Sequence, residues 1–215
     1  NSSAASDVYK RQITLAVETE AGFRDTTQVP ITIGSPDAND PFGPDAYGYA
    51  CFDSHDEGWE VAPVYDWIEI DPDVEGHRFE GTRLNLRDTG DNFDQSLAVA
   101  LPFDFQYYGE VFDTITICTN GWAAFGDQSE LADFRNRRIG QALGPNAQLC
   151  VWWDNLVTID SSAILTYHDP DEGRFIVEWR NMRRLLTGGG RGAFETFELV
   201  LYLSLIHISE PTRPL

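Results

Sequence analysis

Carboxylates in short loops are the residues of this chain best placed to do chemistry. Asp88, Asp91 and Asp94 recur at every third position in the run Asp-Thr-Gly-Asp-Asn-Phe-Asp. Asp53 and Asp56 sit with Glu57 in a second acidic loop, and Asp37, Asn39, Asp40 and Asp45 make a third group. Calcium takes roughly six to eight oxygen ligands, many of them loop carboxylates, so Asp88, Asp91, Asp94, Asp53 and Asp56 are the candidate calcium ligands. None of these loops has EF-hand spacing, and a solvated acidic turn reads the same way. Trp59 and Trp122 are candidate platforms for stacking on sugars, although core packing is the commoner use of such a ring. Cys118 with His55, His77 or His168 is the nucleophile–base pairing to weigh. Cys118 closes an alternating strand just before a turn, which is the setting of a buried thiol rather than a nucleophile. No nucleophile elbow, phosphate loop, zinc motif or dinucleotide fingerprint occurs, and the glycine run Gly188 to Gly192 reads as a hairpin tip. A non-catalytic chain is the expectation, with calcium the one ion its loops would suit.

The elements that must position these residues are strands. In Leu101 to Tyr108, Phe103, Phe105 and Tyr107 alternate with Asp104 and Gln106; in Phe112 to Cys118, Ile115 and Ile117 alternate with threonines. Period two is the mark of a half-buried strand. Gly109 punctuates the two runs, and Asn120-Gly121 is a strong turn signal after the second. Trp122 and Phe125 open a third segment. Asp45 to Asp53 reads as a strand, and Thr82 to Arg87 as a short one with Leu84 and Leu86 inward. The dense run Leu149 to Leu156 reads as a strand closed by Asp154-Asn155. Ala163 to His168 and Arg174 to Trp179 flank the turn Asp169 to Gly173, with Phe175, Val177 and Trp179 on one face; Glu195 to Tyr202 follows. Ala62 to Asp71 carries apolar residues on both alternating faces. Ser129 to Phe134 is the one candidate helical turn, with Ser129 as its cap.

The fold class expected is all-β, a two-layer antiparallel, jelly-roll-like β-sandwich of nine or ten strands. It is preceded by the last hairpin of a truncated immunoglobulin-like β module. The hairpin spans 13–34, a linker rich in Pro, Gly, Asp and Asn spans 35–44, and the main sandwich spans 45–202. The ends read differently. Back-translated, Asp7 to Gln12 is the reverse complement of a word encoding Leu203 to Ile208, and that word resembles sequencing-adapter DNA. Residues 1–12 and 203–215 are therefore expected to be translated adapter, with the natural chain cut on both sides.

Acidic residues number 35 against 15 basic ones, a net charge of −20, and Lys10 is the only lysine. Such a surface repels phosphate backbones, which argues against nucleic-acid partners. No stretch approaches the ~20 apolar residues that a membrane-spanning helix needs. Cys51, Cys118 and Cys150 are an odd set, so at least one stays unpaired, and any one of three disulfides remains open.

Several runs line up in order: Gly43-Pro-Asp-Ala-Tyr-Gly-Tyr, then Ala62 to Pro72, then Leu101 to Gly126, then Val151-Trp-Trp-Asp-Asn-Leu, then Phe175 to Met182 and Glu195 to Tyr202. Over about Asp40 to Tyr202 this resembles a β-sandwich module found downstream of the catalytic domain in secreted bacterial peptidases, gingipain-like cysteine peptidases among them. The central part is also similar to the extracellular nidogen-type domain. The chain departs from the peptidase-associated pattern at Asn155, where a second aspartate usually stands. The resemblance implies a non-catalytic accessory module, secreted or at the cell surface. Its implied partners are other domains of the same parent chain and extracellular protein or polysaccharide. A carbohydrate- or matrix-binding module, assisted by calcium, is the alternative.

Overall fold

The computed structural model describes residues 9–18, 24–33, 40–56, 59, 62–90, 93–139, 144–186 and 190–203, the first two stretches as backbone only. The chain divides into two compact units, Asn1–Tyr65 and Asp66–Leu215. In the first, β1 (Tyr9–Glu18) and β2 (Arg24–Ile33) pair antiparallel, with Ile13 opposite Val29 and Tyr9 opposite Ile33. Most of the segments read as adapter DNA, and residues 34–39 of the linker, lie outside the described residues. Asp45 to Asp53 is not the strand its alternation predicts. Only one bridge forms, Phe42 to Cys51. The Asp45 carboxylate accepts the Tyr47 and Tyr49 N–H groups at 2.9 and 3.0 Å and folds the segment into a turn. Short polar side chains compete with sheet pairing in this way.

The second unit is all strand and loop among the described residues. One sheet runs β4 (Ser96–Tyr107), β5 (Glu110–Cys118), β6 (Ala123–Phe125) and β7 (Gln148–Leu149) in sequence order. The other has the order β11 (Arg191–Tyr202), β10 (Arg174–Leu185), β9 (Ala163–Asp169), β3 (Thr82–Arg83), and β8 (Leu156–Val157) also pairs with β10. All pairings are antiparallel. The inner faces meet in one core: Leu101, Ile115, Ile117 and Phe125 from the first sheet, and Ile164, Phe175, Val177, Trp179 and Leu201 from the second. Leu84 and Leu86 point into it as their spacing predicts. The expected two-layer sandwich is what the chain forms.

Its turns follow local chemistry. The β4–β5 hairpin closes through Tyr108 and Gly109, at φ of 48° and 83°. Paired positive φ values make the primed turn whose twist suits a hairpin. A tyrosine in that conformation costs about 1–2 kcal/mol, so Tyr108 holds a strained position. The β5–β6 loop turns at Asn120-Gly121 as predicted, with Gly121 at φ +74°. The Cys118 N–H donates to the Trp122 carbonyl at 3.0 Å across it.

Three further readings need correction. The apolar run Leu149 to Leu156 is two strand stubs, β7 and β8, in different sheets; the chain between them crosses from one layer to the other. Its apolar density reflects passage through the interior edge, not a strand. Ser129 caps no helical turn: the Asp127 carboxylate takes both the Ser129 N–H and its hydroxyl, and a single turn results, closed by the Leu131 N–H on the Gln128 carbonyl at 2.9 Å. Finally, residues 66–71 bury one face as a strap without strand pairing. Ile68 and Ile70 pack on Ala163, Leu165 and Ile176, the outer face of the second sheet.

Candidate functional site

Two of the three carboxylates of the predicted calcium loop, Asp88 and Asp94, lie among the described residues. Asp88 is only 1% exposed. One carboxylate oxygen accepts the Gly90 N–H at 2.8 Å and the other the Thr119 hydroxyl at 3.1 Å. Burial pushes its carboxyl up to about 6, and the nearby Asp94 charge adds to the rise against the opposing Gly90 bond. Asp94 accepts the Asn120 amide at 2.8 Å. Asn120 in turn accepts the Leu156 N–H and donates to the Ala132 carbonyl. Asp88 and Asp94 therefore tie three segments together with oxygens already engaged. Asp91 lies outside the described residues. In the first unit, Asp53 accepts the N–H and ring nitrogen of His55, which hold its carboxyl low, and Asp56 accepts the Asp53 N–H. Glu57, Asp37 and Asn39 lie outside the described residues. Among the described residues no three His, Cys, Asp or Glu side chains converge as a metal-holding group.

Trp59 is half-buried. Trp122 is fully buried beside Cys118 and Ala124, and its indole donates to the Asp133 carbonyl at 3.1 Å. It has no open face for a sugar; period two cannot reveal that the loop at 127–139 folds over it. Trp153 donates to the same carbonyl at 2.9 Å. Trp152 is the half-exposed indole, stacked near Phe197. Asp154, the aspartate kept next to Asn155, pairs with Arg184 at 3.2 Å.

All three cysteines are free. Cys118 is buried, and burial pushes its thiol up to about 12; Cys150 rises to about 11 for the same reason. The histidines weighed against Cys118 have other neighbours: His55 meets Asp53, His77 the Val74 carbonyl, and His168 the Phe103 ring. A thiol reagent should label exposed Cys51 within minutes in the native protein and leave Cys118 unlabelled until denaturant is added. Mass mapping of the labelled peptides checks this.

Sequence reasoning missed a second carboxylate group beneath the strap. Glu178 on β10 stands directly opposite Glu198 on β11, on the outer face of the sheet. Glu178 is fully buried and accepts the Ile70 N–H at 3.1 Å; Glu198 accepts that of Ile68. The other oxygen of each carboxylate, Oε1 of Glu178 and Oε2 of Glu198, has no partner. Burial pushes Glu178 up to about 8, with Glu69 and Asp71 adding repulsion against the Ile70 bond. It pushes Glu198 up to about 7, with Asp66 and Glu69 adding to it. Asp71 closes the strap: burial raises its carboxyl, but the Asp73 N–H and the Arg180 and Arg83 guanidiniums outweigh that and hold it low. The available signal was an acid replacing an apolar residue at an alternating position, Ile176-x-Glu178 and Glu198-x-Val200.

A cleft of about 720 Å³ was also missed. Tyr107, Tyr108, Phe112 and Phe125 line it beside the β4–β5 turn, with Glu110 and Gln148 as polar lining. Phe125 stacks on Phe105 at 4.9 Å and on Phe112 at 5.4 Å, which fixes that wall. The Gln128 amide donates to the carbonyls of Phe125 and Asn146 and accepts the Asn146 N–H, which clamps the facing rim. Gln148 is 8% exposed, and its amide nitrogen has no partner. An unmade buried hydrogen bond of this kind costs about 1–3 kcal/mol.

A family model described as NIDO related matches residues 78–204. The chain belongs to the NIDO-related family. The match covers every strand of the sandwich and begins just after the strap. Asp88, Asp94, Trp122, the Glu178–Glu198 pair and the aromatic cleft all fall inside the NIDO-related segment, whereas Trp59, Asp53 and Asp56 lie before it. No curated protein and no solved structure matches the chain.

Proposed function

We propose that this chain is a non-catalytic β-sandwich module of a larger secreted or cell-surface bacterial protein, working by contact rather than turnover. The NIDO-related match over the whole sandwich carries this reading. The sealed, high-pKa thiol of Cys118 supports it, because the thiolate is the nucleophile and burial suppresses it. The parent is a peptidase, as the likeness to modules downstream of gingipain-like catalytic domains implies. Partners are then the other domains of that chain and extracellular protein. The acidic surface argues against nucleic acid, and no helix among the described residues is long and apolar enough to cross a membrane.

The test has two arms. The purified chain should release nothing from a broad set of peptide amides; turnover that disappears in Cys118→Ala would overturn the reading. Extending the coding DNA in both directions should reveal a catalytic peptidase domain upstream. A run of adhesive β domains there, with no enzyme, would replace the peptidase parent with a surface-adhesion protein.

A second reading, binding of carbohydrate or matrix, is favoured by the aromatic cleft. Trp59 is its other aromatic candidate. Calcium belongs to this reading, with Asp88, Asp91 and Asp94 as ligands, and a melting temperature indifferent to millimolar calcium would remove it.

A further inference from the structure

The cleft beside the β4–β5 turn has features that packing alone does not require. Its wall is aromatic and held rigid by ring stacking on Phe125. Tyr108 sits at the turn with φ +48°, where asparagine or glycine would be unstrained, and stays 42% exposed in the cleft lining. Strain kept at an exposed aromatic points to use rather than stability. Gln148 adds an amide donor, nine-tenths buried and without an acceptor. Glu110 adds an acceptor, and no basic side chain is among the described residues lining the space.

These features select the ligand. With Glu110 in the lining and a net charge of −20, an anion is repelled. A bare cation would suit the rings and Glu110 but could not accept from Gln148. A sugar ring satisfies all three demands: its C–H face packs on an aromatic ring, its hydroxyls donate to Glu110, and its oxygens accept from Gln148. The volume is in the ordinary range for a small-ligand site and holds one or two such rings. We propose that the cleft between Tyr108 and Gln148 binds an uncharged saccharide unit of an extracellular glycan. This rests on the carbohydrate reading above and gives it a site.

The experiment uses the 215-residue chain on an array of neutral and acidic oligosaccharides, with titration calorimetry on the neutral ones. Neutral oligosaccharides should bind, and acidic ones should not. Tyr108→Asn should weaken binding about tenfold, the loss expected when a stacking ring is removed. The same change should raise the melting temperature, because asparagine tolerates the turn. Gln148→Leu should weaken binding without abolishing the fold. Sugar binding that ignores Tyr108→Asn but is lost in Trp59→Ala would overturn this site and keep the carbohydrate reading. Binding only of peptides, lost in Tyr108→Asn, would overturn the saccharide and keep the contact module. No binding to any neutral oligosaccharide would overturn the proposal outright.

Discussion

Glu178→Gln should stabilise the sandwich at pH 8 by on the order of 3 kcal/mol and change little at pH 5. Glu178 is fully buried, its carboxyl is pushed up to about 8, and one oxygen has no partner. A carboxyl whose folded pKa lies above its unfolded value favours folding fully only below the unfolded value. That contribution is lost as pH rises through the folded value. The window here runs from about 4.5 to about 8. Glu198, at about 7, and Asp88, at about 6, act in the same direction. Asp71 acts oppositely, because its held-down carboxyl supports folding above its unfolded pKa and is lost in acid. The wild-type melting temperature should therefore peak on the mildly acidic side and fall between pH 5 and 9. Glutamine keeps the shape, accepts the Ile70 N–H, and offers Glu69 a donor. Its melting temperature at pH 8 should rise by on the order of 10 °C for a unit of this size. Thermal melts of both proteins from pH 4.5 to 9 decide it; parallel curves would mean that Glu178 is solvated and ionised in the folded state.

Gly121→Ala should cost on the order of 4 kcal/mol or prevent folding. A Cβ at Gly121 would stand 2.2 Å from the Trp152 carbonyl oxygen and 2.9 Å from its carbon. Those are backbone atoms, held in place because the Trp152 N–H donates to the Gly121 carbonyl at 2.9 Å and the Asp154 N–H to that of Asn120. Relief would require moving the crossing between β7 and β8. Gly76 is the control: it has φ +83° but nothing within 4 Å of an added Cβ. Its alanine variant should lose only the left-handed backbone preference, about 1 kcal/mol. Urea midpoints of the two variants separate steric collision from conformational preference. Equal losses would mean that the crossing segment yields.

The sandwich could be read from the chain because its strands state their own period. Phe175, Val177 and Trp179 alternate toward the core, and Leu84 with Leu86 does the same even where only two residues pair. Asn120-Gly121 and Asp169 to Gly173 marked their turns. What failed was anything settled by a partner distant in sequence. Residues 66–71 looked buried on both faces; they are a strap whose Ile68 and Ile70 N–H groups donate to carboxylates more than a hundred residues away. Leu149 to Leu156 looked like a strand because its residues are apolar on both sides, as a crossing between layers also demands. Trp122 and Trp152 look alike in sequence, and only the covering loop decides which one sees solvent. Both carboxylate groups follow the same rule. Asp88 and Asp94 were visible by spacing, whereas Glu178 and Glu198 meet only across a strand pair. The cleft joins Tyr108 to Gln148, and no local pattern connects them.

The strap has one more consequence. The chain enters the sandwich at residue 66, so any tension from the preceding unit reaches the strap before it reaches a single ladder of paired strands. Six residues held side-on by Glu178, Glu198 and the Asp71 ion pairs would peel off in steps, while the sheets behind them stay whole. A pull at residue 66 would therefore load the Ile68 and Ile70 contacts to Glu198 and Glu178 one at a time, before any ladder of paired strands.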